Sequence, residues 1–184
     1  MKVIGGTARG RKLSIPKGAR LRATADRTKE SLFNILPSLE GKSFLDLFAG
    51  TGNVGIEAMS RGAVRTVFVE KNATMADAIR KNVSACGLDS DHEVMAVPCE
   101  RGINILKQRE ESFDIIFADP PYEKGYVERT LLWLGGGVLL SANGIIAIEH
   151  SEKEQWGEWS VFSLVDQRKY GNTMISFWEM NEDG

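Results

Sequence analysis

Cysteine and histidine are scarce in this sequence: Cys86, Cys99, His92 and His150 are the full complement among 184 residues. At those spacings they form no recognisable zinc site, so no metal is expected, and a disulfide framework is excluded; both absences suit a reducing, cytoplasmic setting. Long apolar runs are missing as well. The longest uncharged stretch, Thr130 to Ile148, is interrupted by Gly135-Gly136-Gly137 and by Asn143-Gly144, and the amino terminus lacks an apolar segment of signal-peptide length. Neither a membrane span nor a leader is expected. There is also no internal repeat and no linker rich in Ser, Gly or Pro.

What remains is a chain of ordinary globular composition, 42% hydrophobic and 26% charged, which excludes disorder and fibrous classes. A chain of this size buries about 70% of the surface that it exposes when unfolded, enough for one domain with its own core. The net charge of −2 conceals an asymmetry. Residues 1–30 hold nine Lys or Arg against only Asp26 and Glu30, so a basic arm precedes an acidic body. Such an arm is suited to a polyanionic partner.

From Ser43 onward, short apolar runs alternate with stretches of helical period, the pattern of an α/β domain with a mainly parallel sheet. Strands are expected at Phe44–Phe48, Thr66–Glu70, Glu93–Val97, Asp114–Asp119 and Ile145–Glu149. Helices are expected at Val54–Arg61, Met75–Cys86, Gly102–Arg109 and Val127–Leu134, with Gly62 and Gly87 as stops. The last strands, Trp159–Tyr170 and Thr173–Glu179, flank Gly171-Asn172 and read as an antiparallel hairpin. Before the body, Val3–Leu21 reads as short strands with turns, followed by a helix from Asp26 to Leu36 capped by Thr24 or Ala25. The expected organisation is an appendage, residues 1–40, packed on a body, residues 41–184.

Two motifs carry chemistry. Gly50-Thr51-Gly52-Asn53-Val54-Gly55 follows the first body strand and opens a helix, and Glu70 ends the next strand twenty residues beyond Gly50. Glycines permit the tight turn and close approach of a ligand, while a carboxylate at that distance can accept both hydroxyls of a ribose. A nucleoside-containing cofactor is implied, either NAD or S-adenosylmethionine. Asp46, inside the strand four residues before the turn, discriminates between them, because a pyrophosphate is hindered by a carboxylate and a sulfonium is welcomed by one. The second motif, Asp119-Pro120-Pro121-Tyr122, ends the fourth strand and should face the same crevice. Its prolines offer no N–H, so the loop presents acceptors. Asp119 and the Pro120 carbonyl can hold the hydrogens of an exocyclic amine, and Tyr122 offers a ring face to a base. On this reading the tyrosine hydroxyl is dispensable.

These residues resemble the Rossmann-like class I methyltransferases, and the tetrapeptide is similar to that of enzymes methylating adenine N6, guanine N2, cytosine N4 or a glutamine amide. The segment Arg22-Ala23-Thr24-Ala25-Asp26-Arg27-Thr28-Lys29-Glu30-Ser31-Leu32-Phe33-Asn34, with Ile4-Gly5-Gly6 and Arg9-Gly10-Arg11-Lys12-Leu13, resembles the RsmD-type methyltransferases that act on small-subunit ribosomal RNA. The resemblance runs over nearly the whole chain. It implies a seven-stranded, mainly parallel sheet with a carboxyl-terminal antiparallel hairpin, S-adenosylmethionine as donor, and guanine N2 as acceptor. It further implies cofactor contacts at Thr24, Asp46, Phe48, Ala49, Gly50, Gly52, Glu70 and Asp119, and catalytic roles for Asp119, Pro120 and Tyr122. RNA, within a small-subunit particle, would be held by Arg9, Arg11, Lys12, Arg22 and Arg27.

The chain departs from the pattern after the third strand, where Val97-Pro98-Cys99-Glu100-Arg101 replaces the usual Asp or Asn near the adenine. Glu100 is the candidate substitute, and Cys99 is read as an apolar wall. The histidines are read as surface or strand-end residues and the four tryptophans as packing residues. Rival readings are a glutamine-amide or adenine-N6 methyltransferase, a non-catalytic RNA-binding protein, and an NAD-dependent oxidoreductase.

Overall fold

The computed structural model describes residues 1–17, 26–136, 139–157 and 159–181. Among these residues the elements run α1 (Asp26–Ile35), β1 (Ser43–Leu47), α2 (Asn53–Ser60), β2 (Arg65–Val69), α3 (Ala73–Cys86) and β3 (Asp91–Met95). They continue as α4 (Cys99–Gln108), β4 (Phe113–Ala118), α5 (Tyr126–Leu134), β5 (Leu140–Ser151), β6 (Phe162–Tyr170) and β7 (Thr173–Met180). The seven strands form one sheet in the order β3-β2-β1-β4-β5-β7-β6. The first five pair in parallel, and β7 inserts antiparallel between β5 and β6.

Alternation along β1 shows why the sheet has two covered faces. Leu45 and Leu47 join the α4 and α5 side chains Ile103, Leu106, Val127 and Leu131 in one cluster. Phe44 points the other way, into a cluster with Leu32 and Phe33 of α1 and Ala58 of α2. Residues 1–17 lie against α2 and α3: Val3 and Leu13 pack with Ile56, Ile79 and Val83. The chain order reverses at β1, whose neighbours β2 and β4 are reached in opposite directions, so a crevice opens at the carboxyl ends of β1 and β4.

Local signals hold at the helix ends. Asn72 caps α3 by accepting from the Thr74 and Met75 amides, and Gly87 closes it in the left-handed conformation at φ 66°. Two expectations fail. The opening segment makes one isolated antiparallel bridge, Lys2 to Lys12, and turns, because its glycines and side-chain contacts to α2 replace a ladder. β5 starts at Leu140 and runs through Asn143-Gly144, its register slipping against β4 between Phe113 and Ile115 to absorb the extra residues. His150 is a strand-end residue, next to last in β5, and not a surface one: β7 covers it, and its ring nitrogens meet Ser176 Oγ at 2.7 Å and the Ser151 carbonyl at 2.8 Å. Burial lowers its pKa despite the Ser151 bond. Thr24 and Ala25, the expected caps of α1, lie outside the described residues.

Candidate active site

At the end of β1 the backbone turns through left-handed conformations at Phe48 (φ 58°), Gly50 (φ 57°) and Gly52 (φ 79°), and Gly52 caps α2. Glycine adopts that region without strain, whereas Phe48 does not, a departure concentrated at functional turns. Asp46 braces the turn from below, its Oδ2 accepting the Gly55 amide at 2.8 Å. Gly55 has to be glycine, since a Cβ there would fall 2.3 Å from Phe68 Cε1. Burial pushes the Asp46 carboxyl up to about 7; the Glu70 charge adds to this and the Gly55 amide opposes it.

Glu70 follows β2 and bridges two segments: Oε2 accepts the Gly50 amide at 2.9 Å and Oε1 accepts the Asn72 amide at 2.7 Å. The tetrapeptide follows β4. Pro120 is buried, Asp119 and Tyr122 are half-buried, and the Tyr122 hydroxyl donates to Glu149 Oε1 at 3.0 Å. Burial together with the Glu149 charge pushes the phenol well above its ordinary range. The hydroxyl is therefore not idle, as the sequence alone suggested; it is tied to a buried carboxylate.

A cavity of about 580 Å³ joins the two motifs. Asp46, Phe48, Ala49, Gly50, Glu70, Glu100, Asp119, Pro120 and Tyr122 all line it. Gly52 does not; it shapes the turn from behind. Arg9, Arg11, Lys12 and Arg27 are exposed and do not line the cavity, and Thr24 and Arg22 lie outside the described residues. Cys99 is a buried part of the wall whose thiol is pushed far up by burial and by Glu100, which suits an inert side chain rather than a nucleophile.

Sequence reasoning missed Met1, Asn53, Tyr126, Arg129 and Trp133, which also line the cavity. The last three were detectable. They stand three and four residues apart on α5, one helix face beginning just after the tetrapeptide, with the Arg129 guanidinium 4.9 Å from the Tyr126 ring centre and 5.1 Å from that of Trp133. Trp133 thus lines the cavity as well as packing on the core.

A Rossmann-like sheet with a glycine turn and an acidic strand end facing an Asp-Pro-Pro-Tyr loop defines a methyltransferase class. The family profile described as "Conserved hypothetical protein 95" matches residues 1–179, and the chain belongs to this family, that of the RsmD-type ribosomal RNA methyltransferases. The Bacillus subtilis protein YlbH is 35% identical over 182 residues, 97% of this chain and 98% of its own. The Haemophilus influenzae "Ribosomal RNA small subunit methyltransferase D" is 35% identical over 158 residues, covering 84% of this chain and 80% of its own. The structure of yhhF from Escherichia coli superposes with a TM-score of 0.84 at 28% identity, covering 98% of this chain and 97% of that one.

Proposed function

We propose that the protein transfers a methyl group from S-adenosylmethionine to the exocyclic N2 amine of a guanine in small-subunit ribosomal RNA, presented within a small-subunit particle. The observation that carries this reading is the convergence of Glu70, the glycine turn and Asp119-Pro120-Pro121-Tyr122 on one cavity. The residues present fit the cofactor. Four carboxylates, Asp46, Glu70, Glu100 and Asp119, line the cavity against two cations, Lys71 and Arg129, with Phe48, Val69, Pro98 and Cys99 among its apolar walls; the excess of acceptors suits a cationic nucleoside better than a pyrophosphate. Glu70 would hold the ribose, the turn from Phe48 to Gly50 the amino-acid end, and Glu100 the adenine edge.

The bound cofactor supplies an electrophilic methyl carbon. What the chain supplies is orientation. An exocyclic amine is a weak nucleophile because its lone pair is delocalised into the ring; Asp119 and the Pro120 carbonyl accept its two hydrogens and so aim the lone pair out of the ring plane. The Asp119 carboxylate would stand beside that nitrogen and offset the positive charge that it gains on accepting the methyl group. The proton then leaves toward that carboxylate or water. Tyr122 gives the base a ring to lie on. Outside the cavity, the exposed Arg9, Arg11, Lys12 and Arg27, with Arg22, are positioned in sequence to neutralise phosphates.

Incubation with labelled S-adenosylmethionine and total RNA, free and in particles, followed by digestion to nucleosides, tests the reading. N2-methylguanosine is expected. Labelled N6-methyladenosine, or label on protein, would overturn it in favour of the adenine or glutamine-amide alternatives.

A further inference from the structure

Glu149 sits in β5 beside the tetrapeptide, 3% exposed, with its Oε1 3.0 Å from the Tyr122 hydroxyl. Thr173 at the start of β7 also hydrogen-bonds the tyrosine. The chain just beyond is held from the same side. Glu154 accepts the Glu123 amide at 2.6 Å and the Gly125 amide at 3.1 Å, and Ser151 Oγ donates to Glu123 Oε1 at 3.2 Å. Pro120 and Pro121 limit backbone rotation immediately before. The ring of Tyr122 is thus gripped at its far end by a carboxylate that belongs to another strand, and its hydroxyl is turned toward the sheet rather than offered to a ligand.

We propose that Glu149 is a positioning residue for methyl transfer: by accepting the Tyr122 hydroxyl it fixes the plane of the phenol ring, and with it the angle at which the acceptor amine meets Asp119. The proposal rests on the reading of the tetrapeptide as the acceptor site. A phenylalanine would offer the same ring face and the same stacking area, so affinity for RNA does not depend on the hydroxyl. Orientation does, since small rotations of an acceptor reduce the fraction of bound complexes poised to react.

The experiment separates orientation from stability with the variants Tyr122→Phe, Glu149→Gln and the pair Tyr122→Phe with Glu149→Leu. Tyr122→Phe removes one donor from a buried carboxylate, and it is expected to unfold earlier and to lose about tenfold in kcat, with KM for RNA and the Kd for S-adenosylmethionine within about threefold of the parent. Glu149→Gln keeps a carbonyl acceptor, so kcat should stay within about threefold. In the paired variant the hydroxyl and the carboxylate are both gone, which should recover part of the thermal stability lost in Tyr122→Phe but not kcat, Thr173 having lost the phenol oxygen. Recovery of kcat along with stability would mean that the interaction is structural only and would overturn the proposal, as would an undiminished kcat in Tyr122→Phe. A readout free of activity is the ionisation of the Tyr122 phenol followed by absorbance: Glu149→Gln should lower the pH at which it occurs, and no change would remove the hydrogen bond on which the proposal stands. Failure of the functional reading looks different, because the parent protein would then yield no N2-methylguanosine while this ionisation still moved.

Discussion

Lys29 and Glu57 form an ion pair at 3.1 Å with neither side chain exposed to solvent. The remaining Lys29 donors reach Asn53 Oδ1 at 2.7 Å and the Lys2 carbonyl at 2.8 Å, while Glu57 also accepts the Ile4 and Gly5 amides and Arg61 Nε. One pair therefore ties α1, α2 and the opening segment together, and through Asn53 it touches a cavity-lining residue of the glycine turn.

Breaking that pair should be costly. Lys29→Met leaves Glu57 buried with part of its compensation gone, and a loss of about 3–5 kcal/mol in unfolding free energy is expected from urea titration. The pair also sets an acid limit. Burial pushes Glu57 up, but the Ile4 amide, Arg61 and Lys29 outweigh it and hold the carboxyl below its ordinary 4.5. A folded pKa below the unfolded one contributes stability that is present above about 4.5 and lost as pH falls further. Wild-type unfolding free energy should drop below that pH more steeply than that of the variant.

Asp46 behaves in the opposite sense. Its folded pKa of about 7 lies above the ordinary 3.8, so the buried carboxylate favours folding while protonated, and that contribution fades as pH rises toward 7. A cation seated nearby reverses the preference. Binding of S-adenosylmethionine near pH 6 should therefore release a proton, visible as a calorimetric enthalpy that changes with the ionisation enthalpy of the buffer. Asp46→Asn should abolish the release. Equal proton release by the Asn variant would detach Asp46 from the cofactor.

Glu70 has two tasks, since the oxygens proposed to receive a ribose already hold the Gly50 and Asn72 amides. Glu70→Ala should weaken S-adenosylmethionine binding by about 1.5–3 kcal/mol, roughly ten- to a hundredfold. Calorimetry with NAD as control measures it. Preferential binding of NAD would defeat the methyltransferase chemistry proposed for this cavity.

Much of this was legible in the sequence because its signals are local. The apolar strands, the left-handed glycines and the Asp-Pro-Pro-Tyr corner depend on a few neighbouring residues, and the strand-to-helix alternation dictates that both motifs reach the same edge of the sheet. Pairings set by register were not legible. Tyr122 meets Glu149 across 27 residues, and Lys29 meets Glu57 only once α1 has docked on α2. The burial of His150 at the end of β5 was not legible either, because the insertion of β7 between β5 and β6 is a property of the whole sheet.

The arm should supply RNA affinity without touching the cofactor. Arg9, Arg11 and Lys12 are exposed and lie off the cavity, so replacing all three with Ala should leave the S-adenosylmethionine Kd unchanged. RNA binding should weaken, and on single strands its salt dependence should flatten by up to about 0.7 for each phosphate that no longer meets a cation. An unaltered slope would reduce the arm to a solvated face.

Asp119 is where orientation and charge can be separated. If its carboxylate holds the target amine, Asp119→Ala should lower turnover by about two to four decades, on the order of 3–5 kcal/mol of transition-state free energy. Asp119→Asn keeps an acceptor and discards the charge. Substantially higher activity in Asn than in Ala would show that geometry dominates, whereas an equal loss would show that the negative charge offsets the charge growing on nitrogen. Both variants must unfold near the parental temperature and bind S-adenosylmethionine with parental affinity for the comparison to be read. An Ala variant that folds, binds cofactor and methylates RNA at the parental rate would reduce the tetrapeptide to a turn.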